Sequence, residues 1–277
     1  MHKFSHKAMD TAFNVSIASG VSEGLAASAA EACFDRIDAI ERLLTRFSDS
    51  SDVAVIRSLK DGEIAVVSRE TIEVLCVAAE VAAATDGAYD PALGKGFSRL
   101  VVDPDGRCVS VSGEGGLDLD FGGIGKGYAL DECAKVLASE QFEISEYLLD
   151  AGTSTLLAKG GPWPIGVGGP FKSRTRQSTK VMLSDGALSG SGFEIQGAHI
   201  VDPRTGAKAG RWAQSWSRAR TGAVADALST AALSMSAASI EKACAALDAA
   251  VLVARDQPVF FDRFRDPLKS FTALSCR

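Results

Sequence analysis

Hydrophobic residues along the 277-residue chain follow two spacings, one typical of strands and one typical of helices. Phe13, Val15 and Ile17 alternate with polar residues, which predicts a strand over residues 12–18 with one face in water. Over residues 22–47 apolar side chains recur every three or four residues, with charged residues largely off that stripe. This second spacing predicts a long amphipathic helix packed on a flat surface.

The rest of the chain also combines predicted helices and predicted strands. Further helices are predicted over about Thr71–Ala84, Ala223–Met235 and Ser239–Leu247. Strands are predicted over Leu100–Val102, Cys108–Val111, Tyr147–Leu149, Trp163–Val167, Val181–Leu183 and His199–Val201, and over Val251–Ala254 and Val259–Phe261 as a closing hairpin. No internal repeat or linker separates these segments. The pattern predicts one α+β domain over residues 1–277, with helices packed on antiparallel or mixed sheets.

Composition narrows the class of protein. The chain has no run of roughly eighteen apolar residues, so no transmembrane segment is expected. Its net charge of −6, without a strong basic cluster, argues against nucleic acid as a main partner. The six cysteines contain no CxxC pair, which argues against a disulfide framework or a zinc site. Without a signal-peptide core or a lipobox cysteine, we expect a cytoplasmic protein as the sequence stands, or a periplasmic one if it is a mature or trimmed form.

The stretch LDLDFGGIGKGYALDECAKVL, residues 117–137, changes period in its middle. Leu117 and Leu119 alternate with aspartates as in a strand, and helical spacing follows. At the junction Lys126 is surrounded by four glycines: Gly122, Gly123, Gly125 and Gly127. Glycines let backbone groups approach a ligand, and one cation can reach over it, as in phosphate sites. The motif is neither a P-loop nor GxGxxG, and a glycine-rich connection with a solvated lysine is the alternative interpretation.

Two other positions carry candidate chemistry. Asp226 and Thr230 lie four residues apart in a predicted helix, so their side chains share one face and offer two oxygen ligands of the kind Mg²⁺ prefers. The alternative is an aspartate favoured by the helix dipole and a threonine facing solvent. His199, one of three histidines, could take a proton near neutral pH, or it could be a hydrogen-bonded structural residue.

Taken together, the motifs resemble the ApbE-like flavin transferases, which move FMN from FAD onto a Ser or Thr of a target protein. The resemblance covers nearly the whole chain. Its motifs occur here in the family's order: Met9-Asp10-Thr11, Arg46-Phe47-Ser48, Gly87-Ala88-Tyr89-Asp90-Pro91 (similar to G-x-F-D-P), Asp120 to Tyr128, Asp150-Ala151-Gly152, Ser189-Gly190, His199 to Gly206 and Ala225 to Ala231.

This resemblance implies a role for each matched residue. An ApbE-like, T-fold-like architecture would hold FAD in a cleft between lobes. Asp120 and Lys126 would hold the flavin nucleotide, and the pocket would be lined by Met9, Phe47, Ala88, Tyr89, Asp90 and Ile200. Magnesium would be held by the Gly123 carbonyl, Asp226 and Thr230. His199 would act as the base that deprotonates the acceptor hydroxyl.

The implied activity is magnesium-dependent transfer of FMN from FAD to an acceptor protein, with AMP as the leaving group. The partners would be FAD and an acceptor with a Ser or Thr site. Asp10, Phe47 and Phe121 depart from the family's usual glycine, tyrosine or tryptophan, and leucine, and the segment between Ser189-Gly190 and His199 is short. Two alternatives remain: an FAD pyrophosphatase that uses water in place of the protein hydroxyl, and a non-catalytic FAD-binding module.

Overall fold

The protein contains both the strands and the helices that the two hydrophobic spacings predict. The structure, a computed structural model, describes residues 1–152, 154–167, 179–192, 200–255, 258–262 and 273–274. The α-helices in these ranges are α1 (Glu23–Leu44), α2 (Asp52–Ser58), α3 (Arg69–Ala84), α4 (Gly125–Ala138), α5 (Gly222–Ala232) and α6 (Ala237–Leu247). The strands are β1 (His2–Ala8), β2 (Thr11–Ile17), β3 (Ile64–Val66), β4 (Leu100–Asp103), β5 (Cys108–Val111), β6 (Tyr147–Ala151), β7 (Thr155–Lys159), β8 (Trp163–Val167), β9 (Thr179–Leu183), β10 (Gly186–Gly192), β11 (Gln214–Ala219), β12 (Ala250–Ala254), β13 (Pro258–Asp262) and β14 (Ala273–Leu274).

An eight-stranded sheet in the order β1-β2-β6-β7-β10-β11-β12-β13 forms the centre of the fold. Every neighbouring pair in it is antiparallel. The alternating residues Phe13, Val15 and Ile17 of β2 are buried in the core, as their spacing predicts. Helix α4 packs between α1 and α5, and α5 lies on β10 and β11. The predicted α+β class, with helices packed on antiparallel sheets, is confirmed.

Two three-stranded sheets, β14-β9-β8 and β3-β5-β4, complete the strands in the described ranges. The predicted hairpin near the end of the chain is confirmed as the antiparallel pair β12 and β13. Within the described residues, no helix is long and apolar enough to cross a membrane.

Hydroxyl side chains set where most helices begin. Ser22, Ser51, Ser68, Thr221 and Ser236 each accept a hydrogen bond from a backbone N–H in the first turn of the helix that follows. Helix α4 differs, because it follows an isoleucine that offers no side-chain cap. Its first-turn amides are therefore left for partners from elsewhere in the fold.

Some predictions for individual segments were wrong. Residues 117–119 form no strand, because no neighbouring strand pairs with them, although Leu117 and Leu119 are both buried. The short helix α2, which follows α1 after seven residues, was not predicted. The predicted strand at residues 199–201 is reduced to one bridge between Val201 and Lys208, and His199 lies outside the described residues.

Candidate active site

A tight turn brings Met9 to the site. Met9 and Asp10 form the two-residue connection between β1 and β2, and both have left-handed backbone conformations, with φ of 48° and 56°. Aspartate tolerates this conformation better than most residues, which explains how Asp10 stands where the resembling motif has glycine. The Met9 N–H donates a hydrogen bond of 2.9 Å to a carboxylate oxygen of Glu41 on α1. The turn is thereby fixed to α1.

Four of the predicted flavin-binding residues share one cavity of about 180 Å³. It is lined by Met9, Phe47, Asp120 and Lys126, together with Asp10, Glu41, Leu44, Thr45, Arg46, Phe121, Gly122 and Gly125. The Arg46 guanidinium lies 3.0 Å from a carboxylate oxygen of Asp120 and 5.0 Å from the centre of the Phe47 ring. The Phe47 side chain is 83% exposed, so a planar ligand can reach its face.

The glycine-rich junction holds its charged residues in fixed positions. Asp120 accepts a hydrogen bond of 2.8 Å from the Gly122 amide, and Lys126 donates one of 2.7 Å from Nζ to the Gly122 carbonyl. The Asp120 amide donates to the Pro91 carbonyl at 2.8 Å, which ties this segment to the Tyr89 segment. An anion at the start of α4 would therefore meet a cationic side chain and the positive end of the helix dipole, although the Gly127 amide already donates to Asp226.

Asp226 on α5 is a buried carboxylate surrounded by neutral donors. One of its oxygens accepts hydrogen bonds of 3.3 Å from the hydroxyls of both Ser154 and Ser189. The other accepts a hydrogen bond of 3.1 Å from the Gly127 amide in the first turn of α4. The residue is only 2% exposed, and no Lys, Arg or His of the described ranges forms an ion pair with it. A buried carboxylate without a cationic partner suits a bound cation.

Thr230 and Gly123 lie beside Asp226. A Cβ atom added to Gly123 would lie 3.1 Å from the Thr230 hydroxyl, so that side chain lies beside Gly123 on the side where a larger residue would project. The Thr230 hydroxyl also donates to the Asp226 carbonyl at 3.2 Å and is 3.4 Å from the Ser191 hydroxyl. The three predicted magnesium ligands are thus brought together. They supply one carboxylate, one hydroxyl and one carbonyl, which are hard oxygen donors that fit Mg²⁺.

No group of three or more His, Cys, Asp or Glu side chains within the described residues is arranged to hold a metal ion. A site built from one carboxylate would leave most coordination positions to water and substrate, as is common for Mg²⁺.

In the segment after α3, Ala88 and Tyr89 are buried and Asp90 is half-buried. The Asp90 carboxylate accepts hydrogen bonds from the Ala92 amide at 2.7 Å and the Gly94 amide at 3.0 Å. Tyr89 and Asp90 line a second cavity, of about 470 Å³, beside α3 and β4. Burial raises the pKa of Tyr89 well above its ordinary value, and the negative charges of Asp226, Asp120 and Asp90 add to the effect.

The segment that follows His199 packs against the Tyr89 segment. The half-buried Ile200 accepts a hydrogen bond of 2.9 Å at its carbonyl from the Ala209 amide. Gly94 has φ of +78°, and a Cβ atom there would lie 2.1 Å from the Pro203 carbonyl oxygen, so only glycine allows this contact. This contact brings residues 200–206 next to the 87–94 segment.

Several residues around these groups were not predicted. Glu41, Ser154 and Asp131 carry no local sequence signal, because their partners are distant in the chain. Asp131 accepts hydrogen bonds from the amides of Gly222 at 2.6 Å and Ala223 at 2.9 Å, so α4 holds the N-terminus of the helix that carries Asp226. Arg46 and Ser189 do occur within the quoted motifs, so the motif pattern is the signal that could have identified them.

Solved structures of known proteins share this fold. The fold is that of solved flavin transferase structures: ApbE from Vibrio cholerae superposes with a TM-score of 0.80 at 20% identity, covering 95% of this chain and 98% of that one. The ApbE protein of Thermotoga maritima superposes with a TM-score of 0.77 at 23% identity, covering 95% and 97%.

The sequence comparisons identify the family. The model of the ApbE family matches residues 9–98 and 95–253, so the chain belongs to the ApbE family. A protein named FAD:protein FMN transferase from Treponema pallidum (strain Nichols) is 28% identical over 270 residues, covering 79% of this chain and 74% of that protein. One of the same name from Klebsiella pneumoniae (strain 342) is 25% identical over 242 residues, covering 72% and 68%.

Proposed function

We propose that this chain transfers FMN from FAD to a Ser or Thr hydroxyl of an acceptor protein, in a magnesium-dependent reaction that releases AMP. The observation that carries the proposal is the meeting of Asp226, Thr230 and Gly123 beside the first turn of α4, next to the cavity that contains Asp120 and Lys126. The names of the relatives support the same activity. The two matched segments of the family model span residues 9–253 without a gap, which supports the prediction of one domain.

Different residues would bind the different chemical groups of FAD. Lys126 and the start of α4 would hold the phosphates of FAD, because both are electropositive. Asp120, which is fixed by Arg46, would orient the flavin nucleotide. The walls of the pocket would be formed by Met9, Phe47, Ala88, Tyr89, Asp90 and Ile200.

Asp226, Thr230 and the Gly123 carbonyl would hold the magnesium ion. When bound, magnesium supplies charge neutralisation at the pyrophosphate as the P–O–P bond breaks. Ser154, Ser189 and the Gly127 amide would keep the Asp226 carboxylate oriented for this role. His199 would accept the proton of the acceptor hydroxyl, whose oxygen attacks the FMN-side phosphorus.

Mass spectrometry tests the proposal. Candidate acceptor proteins are incubated with the chain, FAD and Mg²⁺, and a mass gain equal to FMN on a Ser or Thr is the expected result. Release of free FMN and AMP without any labelled acceptor would instead identify a pyrophosphatase. Binding of FAD without either product would identify a binding module.

The His199→Ala variant tests the proposed base. A protein hydroxyl must lose its proton as it attacks, so we expect transfer to slow by about 10² to 10⁴-fold. FAD affinity should stay unchanged, because other residues hold the flavin. Single-turnover assays measure FMN transfer and FAD hydrolysis separately, and transfer should fall more than hydrolysis. Unchanged transfer would mean that the base is another group.

A further inference from the structure

We infer that Arg46 is a further FAD-binding residue, whose guanidinium contacts a phosphate group of the dinucleotide. The inference rests on the proposed function, because it adds a residue to the site proposed for FAD. Arg46 lies in the segment between α1 and α2 and lines the same cavity as Lys126. Its side chain is 43% exposed, so a ligand in that cavity can reach it.

The charges around the cavity show why a phosphate group would need Arg46. Among the described residues that line it, three are acidic: Asp10, Glu41 and Asp120. Two are basic: Arg46 and Lys126. Like charges at close range repel, so a diphosphate beside three carboxylates and one lysine would be disfavoured. Arg46 supplies the second positive charge in this cavity.

The contacts of the guanidinium hold it in place and leave it donors for a ligand. One nitrogen, Nη1, lies 3.0 Å from a carboxylate oxygen of Asp120, which is its ion-pair partner among the described residues. The Phe47 ring lies 5.0 Å from the guanidinium carbon and holds the group further. A guanidinium carries several N–H donors in a planar fork that fits carboxylate and phosphate oxygens alike. Arg46 can therefore stay paired with Asp120 while it donates to a phosphate.

One short segment positions both cations. The Asp120 oxygen that does not face Arg46 accepts the Gly122 amide at 2.8 Å. The carbonyl of the same glycine accepts Lys126 Nζ at 2.7 Å. Arg46 and Lys126 are thus both attached to residues 120–122, on the wall of one cavity. Two cations fixed in this way suit a ligand with two linked phosphate groups.

The Arg46→Gln variant removes the charge. Dissociation constants for FAD, FMN and riboflavin are measured by flavin fluorescence in Mg²⁺, without an acceptor protein. We expect the FAD affinity to fall by about 10 to 100-fold, as for a lost hydrogen bond between charged groups. Riboflavin has no phosphate group, so its affinity should stay unchanged. Arg46→Lys keeps the charge without the planar fork, so its loss of FAD affinity should be smaller.

Arg220→Gln is the matched control. Arg220 also pairs with an aspartate, Asp248, at 2.9 Å, and it lines a different cavity, of about 210 Å³. The variant loses the same charge away from the proposed site, so its flavin affinities should equal those of the unmodified chain. Exposed ion pairs contribute little to stability, so neither Gln variant should change the unfolding temperature by much.

The three flavins also identify which phosphate group Arg46 contacts. Loss of both FAD and FMN affinity indicates the FMN-side phosphate, whereas loss of FAD affinity alone indicates the AMP-side phosphate. An unchanged FAD affinity in Arg46→Gln overturns the inference. An equal loss for riboflavin, or an equal loss in Arg46→Lys, also overturns it, because the effect would then come from the shape of the ring pocket.

These results are separate from the test of the proposed function. If the unmodified chain transfers FMN and Arg46→Gln binds FAD normally, only the inference fails. If the unmodified chain does not bind FAD, the proposed function fails, and the inference fails with it.

Discussion

Glu132 and Asp226 are both carboxylates with 2% exposure, yet their surroundings are opposite. Glu132 lies where α1, α3 and α4 meet, and it forms ion pairs with Arg36, Arg69 and Lys135. Asp226 accepts hydrogen bonds from two serine hydroxyls and one backbone amide, and the described residues provide it with no ion pair.

The difference separates a structural carboxylate from a candidate ligand. Removing a carboxylate from water is costly unless cations compensate it. At Glu132 the protein supplies them: burial acts to raise the pKa of Glu132, but hydrogen bonds from Lys135 and Arg36 lower it. At Asp226 the described residues supply only neutral donors. This contrast supports the proposal that the missing positive charge comes from a bound cation.

Asp226→Asn tests the contrast with the largest expected effect. We expect magnesium-dependent flavin transfer to fall by more than about a hundredfold, since the loss of groups that merely support a metal ligand already costs about 10 to 100-fold. The free energy of unfolding should change little, because no cationic side chain of the described residues loses a partner. Flavin transfer is measured at saturating and at limiting Mg²⁺. The free energy of unfolding is measured by urea unfolding. Normal activity at limiting Mg²⁺ would mean that the cation binds elsewhere.

Glu132→Gln should give the reverse result. Three cationic side chains lose one of their partners, so we expect the free energy of unfolding to fall by about 3 kcal/mol, at the lower end for a broken buried pair. The lower end applies because Arg36 keeps Glu70. Flavin transfer per folded molecule should remain, because this cluster contacts none of the proposed ligands. An activity loss as large as that of Asp226→Asn, with unchanged stability, would remove the distinction.

Asp131 is an intermediate case, and its effect should show only in the pH dependence of stability. Burial raises the pKa of Asp131 to about 6, although the Gly222 and Ala223 amides favour its charged form. Because this value exceeds the ordinary 3.8, the folded protein retains the proton at pH values where the unfolded chain has lost it. Its contribution to stability is therefore present below about pH 4 and lost as pH rises through about 6, at about 1.4 kcal/mol per pKa unit.

The contribution of Asp131 to stability is measured by urea unfolding of the unmodified chain and of Asp131→Asn between about pH 4 and 7. The stability of the unmodified chain relative to the variant should decline as pH rises. A relative stability that increases with pH would show that the two amides outweigh burial.

Two of the strands that the sequence failed to predict, β10 and β11, share one cause. In β11, Ser215, Ser217 and Ala219 are the buried residues, so the alternation is present but two of its three inward positions are serines. In β10, Ser189 and Ser191 are buried in the same way. Hydrophobic spacing cannot detect such strands, because their buried hydroxyls are stabilised by hydrogen bonds to α5.

The sequence by itself determined the local elements and part of the site. The spacing of Asp226 and Thr230 is enough to put both on one face of a helix, and the glycines around Lys126 already indicate where α4 begins. Their partners depend on the tertiary structure. Asp226 is joined to Ser189, 37 residues away, to Ser154, 72 residues away, and to Gly127, 99 residues away. Such contacts follow from the order of strands in the sheet and the packing of α5 against α4, which local periodicity does not encode.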